Sequence, residues 1–312
     1  MRLGLISVCG EGTGNSSVMN RYLSDGGMDM KLGLSSYSLY QAIRADRMTM
    51  ADMLQWAADR GCAHAEIVPL GFEMTEAMAD ELREKAAACG IELSNYAIGA
   101  DFLKESEAEY EREIARVMRE VDLAARLGVR RMRHDAANSE DRSIVHFNRQ
   151  LKRLAAACRR IADHAAQYGI VTSVENHGFF IQASERVQAL VHAVDRPNFR
   201  TTLDVGNFLC VDEDPLSAVK NNLPYASMVH IKDFYYRPAG SELGAGWFRT
   251  SNGNWLRGAI AGHGDLKLRE IVRAIKASGY DGYISLEFEG MEDCLTGAEI
   301  GLENVRRLWE QA

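Results

Sequence analysis

Residues 107–134 read EAEYEREIARVMREVDLAARLGVRRMRH, and this stretch sets the fold that we expect for the whole chain. Residues 107–127 place apolar side chains at helical spacing, which predicts an amphipathic helix. Gly128 follows, and a glycine just past a helix supplies the left-handed residue that satisfies the last carbonyl groups. The short run 129–134 then predicts a strand. A helix, a glycine stop and a strand therefore form one structural unit.

The same unit recurs along the chain. Strands are predicted at 31–36, 64–68, 91–97, 129–134, 170–175, 200–205, 227–232 and 282–288. Helices are predicted at 49–60, 75–89, 107–127, 143–168, 184–194, shortly after Pro215, at 265–278 and at 292–310. Parallel strands need crossover connections, and helices usually provide them. Eight such units predict an α/β protein with a single closed (β/α)₈ TIM barrel rather than an open doubly wound sheet.

Residues 1–30 differ from the rest of the chain. They are rich in Gly, Ser and Met and show no strong periodicity. We interpret them as a poorly structured leader or a mis-called start, so that the barrel domain is expected over residues 31–312. A second irregular segment, residues 234–264, combines many glycines with aromatic side chains. Long loops in compact domains are usually functional or disordered, and this one is expected to cover a bound ligand as a lid or wall, or to contact another subunit.

The overall composition excludes several classes of protein. The 36 Lys and Arg residues against 44 Asp and Glu residues give a net charge of −8, which disfavours a general nucleic-acid or membrane-surface binder. There is no apolar run of the roughly eighteen residues that a membrane span needs, and no signal peptide is recognisable. The six cysteines are scattered, as reduced thiols of a cytoplasmic protein would be. The expected partner is a small molecule, and a homo-oligomer stays open.

Four charged or ionisable residues interrupt the ends of the last four predicted strands: Glu175, Asp204, His230 and Glu287. In a barrel such positions face the mouth, where active sites form. Each residue alone would usually be solvated or hydrogen-bonded, but three converging carboxylates and an imidazole favour a bound divalent cation. Mostly oxygen ligands with one nitrogen suit Mn²⁺, Mg²⁺ or Co²⁺, with Zn²⁺ as a further option.

These motifs resemble the xylose-isomerase-like superfamily of TIM barrels, which contains sugar isomerases and epimerases. The resemblance spans residues 31–310 and is carried by Val174–His177, Leu203–Asn207, His230–Asp233, Gly262–Asp265, Gly279–Gly282 and Ser285–Glu287. It implies one divalent metal held by Glu175, Asp204, His230 and Glu287. Two departures leave the substrate open. Asn207 stands where ketose 3-epimerases usually carry a histidine, and Gly-His-Gly-Asp replaces the commoner Gly-Glu-Gly-Asp.

The chemistry expected of such a site is proton abstraction beside the carbonyl of a ketose or related polyol-ketone. Glu175 and Glu287 are the predicted catalytic residues, one removing the proton and the other returning it through an enediolate. This predicts a metal-dependent sugar isomerase or epimerase. The alternative is a dehydratase of the inosose type, which begins with the same abstraction and then expels a β-hydroxyl. A non-catalytic sugar-binding barrel is a third hypothesis, which the pair of glutamates disfavours.

Five residues form the predicted substrate-binding set: His177, Asn207, Lys232, Arg133 and Trp247. Period-two alternation puts Lys232 on the same strand face as His230, where it holds a substrate oxygen, orients a ligand or forms an ion pair. Arg133 would suit a carboxylate or phosphate if it faces the mouth rather than the surface. Trp247 belongs to the aromatic segment.

Two further acidic residues receive structural interpretations. Glu66 interrupts the second strand and is expected to be an internal hydrogen-bonding residue. Glu289 follows Glu287 by two positions and is expected at a solvated strand end, with support of the metal site as the alternative.

Overall fold

The structure is a computed structural model that describes residues 30–312. The predicted leader lies outside the described residues except for Met30, so its interpretation stays a prediction. The strands are β1 (Lys31–Ser35), β2 (His64–Ile67), β3 (Glu92–Ile98), β4 (Arg131–His134), β5 (Val171–Glu175), β6 (Phe199–Asp204), β7 (Ala226–Ile231), β8 (Asp233–Arg237), β9 (Phe248–Arg249), β10 (Trp255–Ala259) and β11 (Tyr283–Leu286). Eight of them close a barrel in the order β1-β11-β7-β6-β5-β4-β3-β2.

Neighbouring barrel strands are parallel throughout, and helices connect them on the outside. The helices are α1 (Tyr40–Arg44), α2 (Met50–Asp59), α3 (Glu76–Cys89), α4 (Glu107–Leu127), α5 (Ile144–Ala166), α6 (Ser184–Val194), α7 (Pro215–Asn222), α8 (Leu268–Ala277) and α9 (Cys294–Glu310). Short 3₁₀ helices cover Ser36–Leu39, Asn207–Val211 and Leu223–Tyr225. The predicted (β/α)₈ barrel is confirmed, with α1 as an addition that the sequence pattern did not indicate.

Local signals explain where the long helices begin and end. Ser106 accepts a hydrogen bond from the backbone N–H of Glu109, whose carboxylate in turn accepts from the Ser106 backbone, and this capping box starts α4. Gly128 ends the same helix at φ 82°, a conformation that costs glycine little. These two signals fix the bounds of α4 and therefore the length of the crossover between β3 and β4.

The prediction that the aromatic segment after β7 is an irregular loop is wrong. It folds into a three-stranded antiparallel sheet in the order β8-β10-β9. Phe234 and Leu256 lie on its inner face and form a small core with Cys210, which explains why a glycine-rich segment is ordered into strands. This side sheet rises beside the mouth, directly after the strand that carries His230.

A single large hydrophobic core fills the space between the barrel and the helices. At the end of the barrel opposite to the mouth, the imidazole of His64 occupies the space that the absent side chain of Gly33 leaves. Among residues 30–312 no helix is both long and apolar enough to cross a membrane. The five cysteines in this part of the chain are free thiols.

Candidate active site

The structure brings the four predicted metal ligands together at the mouth of the barrel. Glu175 ends β5, Asp204 ends β6, His230 lies near the end of β7, and Glu287 follows β11. Each offers one ligand atom, these atoms lie within 4.8 Å of one another, and all four residues are buried. The four side chains thus form one cluster, which we call the ligand cluster.

Two buried ligand atoms of the cluster indicate that it suits a divalent cation. Oδ2 of Asp204 and Nδ1 of His230 are buried and have no hydrogen-bond partner within residues 30–312. A buried polar atom without a partner costs about 1–3 kcal/mol, and a cation between these atoms would coordinate both. The other oxygen of Asp204 accepts hydrogen bonds from the backbone N–H groups of Gly206 and Asn207, at 2.8 and 2.7 Å, which fixes the orientation of the carboxylate.

Burial and neighbouring charges set the pKa values within the ligand cluster. Burial raises the pKa of Asp204 to about 6, although the ammonium of Lys232 opposes this change. Burial would also raise the pKa of Glu175, but the charges of Arg133 and His230 outweigh it and hold that pKa well below its usual value. A cation in the cluster would favour the ionised form of each carboxylate.

Glu66 contacts His230, one member of the ligand cluster. It is an internal hydrogen-bonding residue, and this confirms the interpretation from the sequence. Its Oε2 lies 2.9 Å from Nε2 of His230 and accepts a second hydrogen bond, also 2.9 Å, from the side chain of Asn95. With Nε2 occupied in this way, Nδ1 of His230 points to Glu287 and Glu175, at 3.4 and 3.8 Å. In metal sites, a carboxylate bonded to the second ring nitrogen of a ligating histidine usually fixes the orientation and the tautomer of the ring.

Two of the predicted substrate-binding residues, Arg133 and Asn207, contact Glu175. Nε of Arg133 lies 2.7 Å from one oxygen of Glu175, and the side-chain amide of Asn207 donates to the other at 3.0 Å. Arg133 also pairs with Asp135 at 3.0 Å and donates to the backbone carbonyl of Ile98. The guanidinium is therefore engaged within the protein rather than free for a substrate carboxylate or phosphate.

Lys232 forms ion pairs on the opposite side of the ligand cluster. Its Nζ lies 3.0 Å from Glu287, 3.3 Å from Glu289 and 3.6 Å from Asp204. The expected solvated position of Glu289 is wrong, because its side chain is only 22 % exposed and also accepts a hydrogen bond from the hydroxyl of Tyr37. Burial would lower the pKa of Lys232, but these carboxylates raise it well above its usual value.

His177 and Asp135 form a hydrogen-bonded pair in the wall of the cavity. Nδ1 of His177 lies 3.2 Å from Oδ1 of Asp135, and the histidine side chain is 49 % exposed. Partial burial would lower the pKa of His177, but the Asp135 carboxylate raises it overall. Sequence analysis missed Asp135, although its position directly after β4 is the same signal that identified the ligands.

A cavity of about 1220 Å³ joins these residues to solvent. Its inner end is lined by Glu175, His230, Lys232, Glu287 and His177. Trp247 is not among the lining residues. It lies on the side sheet, with the guanidinium groups of Arg257 and Arg237 at 5.2 and 5.7 Å from its ring. The structure therefore places Lys232, His177 and Arg133 at the cavity, whereas Asn207 and Trp247 do not line it.

The curated proteins that are similar in sequence to this chain include inosose dehydratases. Inosose dehydratase from Lacticaseibacillus casei is 26% identical over 168 residues, which cover 50% of this chain and 54% of that protein. The chain spans about half the length of the curated relatives that it matches.

Solved structures share the fold over most of their length. A D-psicose 3-epimerase from Clostridium cellulolyticum H10 superimposes with a TM-score of 0.70 and 18% identity, covering 90% of this chain and 99% of that one. A probable 3-DHS dehydratase from Bacillus anthracis superimposes with a TM-score of 0.67 and 20% identity, covering 88% and 99%. The family profile described as xylose isomerase-like TIM barrel matches residues 54–308. The chain therefore belongs to the xylose isomerase-like TIM barrel family.

Proposed function

We propose that this protein is a metal-dependent enzyme that abstracts a proton beside the carbonyl of a polyhydroxy ketone. The observation that carries the proposal is the ligand cluster, in which Oδ2 of Asp204 and Nδ1 of His230 have no hydrogen-bond partner within residues 30–312, and which faces an open cavity through Glu175, His230 and Glu287. When bound, a divalent ion would act as a Lewis acid on the carbonyl oxygen. The oxygen-rich donor set supports Mn²⁺, Mg²⁺ or Co²⁺, with Zn²⁺ as a further option.

The two glutamates of the cluster are both restrained by cations of the protein. Arg133 and Asn207 occupy the oxygens of Glu175, and Lys232 lies 3.0 Å from Glu287. For Glu175 the neighbouring charges of Arg133 and His230 favour the ionised form and hold its pKa below the usual value, which makes this carboxylate a weaker base. This weighs against a mechanism in which both glutamates must exchange protons with the substrate.

His177 is the side chain best arranged to carry a proton. Asp135 binds its Nδ1, and its second ring nitrogen makes no hydrogen bond within residues 30–312. A histidine oriented by a carboxylate and exposed to a cavity has the geometry of a general base. One such carrier suffices for dehydration. The C–H electrons form the new C=C bond, the β C–O bond breaks, and the proton taken by His177 leaves with the hydroxyl group as water.

Dehydration is therefore the reaction that the geometry supports best, and the inosose dehydratase relatives are in keeping with it. Isomerisation or epimerisation is the second candidate. It is favoured by the positions of Glu175 and Glu287, which approach the cluster from strands that β6 and β7 separate in the barrel. An epimerase needs two proton carriers on different sides of the substrate, because it removes the proton from one face of a carbon atom and returns it to the opposite face.

The charges at the inner cavity support an uncharged substrate. Arg133 and Lys232, the two cations closest to the ligand cluster, are both paired with carboxylates. A phosphate or carboxylate group would have to compete with those internal pairs. We therefore propose a small, unphosphorylated, sugar-like partner rather than a nucleic acid or membrane, for an enzyme that acts in the cytoplasm.

The test is incubation of the metal-loaded protein in D₂O with unphosphorylated cyclic and open-chain polyhydroxy ketones. A dehydratase yields an unsaturated or diketo product, whereas an epimerase or isomerase incorporates deuterium into recovered or isomeric sugar. Mass spectrometry and NMR distinguish the two. If no ketone of either class is dehydrated or labelled, the proposal is contradicted.

A further inference from the structure

The cavity has an apolar side that the chemistry of the ligand cluster does not use. The segment after β2 lines it with five apolar residues, Val68, Pro69, Leu70, Phe72 and Met74, which we call the apolar wall, and the acidic Glu73 and Glu76 line the same cavity beside them. Met74 is buried, and Phe72 packs against the main hydrophobic core. Val68, Pro69 and Leu70 are half-buried and belong to neither hydrophobic core of the described residues.

The apolar wall is held in place by the barrel. The hydroxyl of Ser36 accepts a hydrogen bond from the backbone N–H of Val68 at 2.8 Å and donates to its carbonyl at 3.4 Å. Ile67, directly before the wall, is fully buried in β2. These backbone hydrogen bonds and the buried Ile67 hold the half-buried side chains of the apolar wall at the edge of the cavity.

The volume of the cavity exceeds what a single sugar ring requires. Pockets that bury drug-sized ligands measure roughly 300–1,000 Å³, and this cavity measures about 1220 Å³. Beyond the apolar wall it continues as a charged groove along α4, where Arg116 pairs with Glu113 and Arg126 pairs with Asp80. A polyol bound at the ligand cluster would leave Val68, Pro69 and Leu70 in contact with water.

We propose that the apolar wall binds an apolar substituent of the substrate, so that the substrate is a keto-glycoside with an aryl or alkyl aglycone rather than a free monosaccharide. This inference rests on the proposed function, because the polyol part must bind at the ligand cluster. Its support is the continuity of one cavity whose inner end is polar and whose side wall is apolar. Burial of a phenyl ring against such a wall strengthens binding about tenfold to a hundredfold.

The test compares phenyl β-D-glucopyranoside with methyl β-D-glucopyranoside by calorimetry on the Mn²⁺-loaded full chain. These probes differ only in the aglycone. We expect the phenyl glucoside to bind at least tenfold more tightly, and Leu70→Asn to remove most of that preference. Val145→Asn is the matched control, because Val145 is 64 % exposed on α5 and lies outside the cavity. It should leave the preference unchanged.

Failure of this inference is distinguishable from failure of the proposed function. Equal affinities for the two glucosides, no measurable binding of the phenyl glucoside, or a preference that Leu70→Asn leaves intact would overturn the role of the apolar wall. Asp204→Asn should weaken both glucosides to a similar extent. If Asp204→Asn and metal removal leave both affinities unchanged, the polyol does not bind at the ligand cluster, and both proposals fall.

Discussion

Nε2 of His230 lies 2.9 Å from Oε2 of Glu66, a fully buried carboxylate on the far side of the imidazole from the ligand cluster. Burial would raise the pKa of Glu66, but the charge and hydrogen bond of His230 lower it overall. The pair presents Nδ1 of the ring to the other ligands and increases the basicity of the imidazole. Glu66 would thus act on a bound metal through its hydrogen bond with His230.

The Glu66–His230 pair predicts that Glu66→Gln weakens metal binding although the ligands are unchanged. Loss of such a supporting carboxylate typically costs 10–100-fold in metal affinity. Calorimetric titration of the metal-free protein with Mn²⁺ measures the effect. Glu270→Gln, on the exposed face of α8, is the control and should bind Mn²⁺ as the wild type does. Unchanged affinity in Glu66→Gln would show that the pair is only structural.

Lys232 predicts a stability effect that depends on the metal. It is buried among Glu287, Glu289 and Asp204, so Lys232→Met leaves three carboxylates without their shared cation. Removing one partner of a buried ion pair costs about 3–5 kcal/mol. A bound divalent ion compensates part of that charge.

We therefore expect Lys232→Met to lower the melting temperature more in the metal-free protein than in the Mn²⁺-loaded protein, as measured by thermal unfolding. Lys267→Met, at the start of α8, is the control and should lower it equally little in both. An equal loss in both forms of Lys232→Met would mean that the ammonium and the metal do not share these carboxylates.

The proposed base predicts a separation of turnover from metal binding. His177→Gln should reduce turnover or solvent exchange about 10²–10⁴-fold while metal content stays at the wild-type level. Asp135→Asn should reduce it less, because the imidazole remains but loses its orienting carboxylate. The exposed His192 provides the control His192→Gln.

The same assay decides between His177 and the glutamates. If His177→Gln keeps near-wild-type turnover while Glu175→Gln or Glu287→Gln loses about 10²-fold or more at full metal content, the glutamates carry the proton. The two-base mechanism of an epimerase would then replace the dehydratase mechanism.

His64, at the opposite end of the barrel, predicts a pH dependence of stability. Burial lowers its pKa from 6.5 to about 4, although Glu66 and two backbone carbonyls oppose the change. Below about pH 6.5 the unfolded chain therefore binds a proton that the folded chain rejects, so this contribution to stability falls as the pH decreases from about 6.5 through about 4. His64→Gln should flatten the dependence of the melting temperature on pH over that range.

The exposed His192 again offers a control, since His192→Gln should keep the wild-type slope. The quantity to compare is the slope of the melting temperature against pH. The absolute melting temperature of His64→Gln is also lowered by the loss of packing against Gly33. A slope identical to that of the wild type would mean that His64 does not titrate in this way.

The barrel could be predicted from the sequence because its signals are local. The bounds predicted for α4 agree with the structure, since Ser106 with Glu109 and Gly128 act within one helical turn of its ends. The side sheet was not predicted. Its strands β8, β9 and β10 are short and separated by glycine-rich residues, and they become apparent only when Phe234 and Leu256 bury against Cys210.

The ligand cluster could be predicted because one rule, a charged residue at a strand end, applies to each member separately. The residues that support the cluster depend on closure of the barrel. Tyr37 follows the first strand and Glu289 follows the last, yet β1 pairs with β11 and brings them into hydrogen-bond distance. No local pattern relates two residues that far apart in the chain.

We propose that Glu175, Asp204, His230 and Glu287 together hold one divalent metal. Elemental analysis and Mn²⁺ titration of the full chain test it directly, with the double variant Asp204→Asn/His230→Ala beside the wild type. We expect one ion per wild-type chain and a severe loss of binding in the double variant, with circular dichroism showing that the variant is folded. A folded double variant that binds Mn²⁺ with wild-type stoichiometry and affinity, or a wild-type chain that binds none, would contradict the claim.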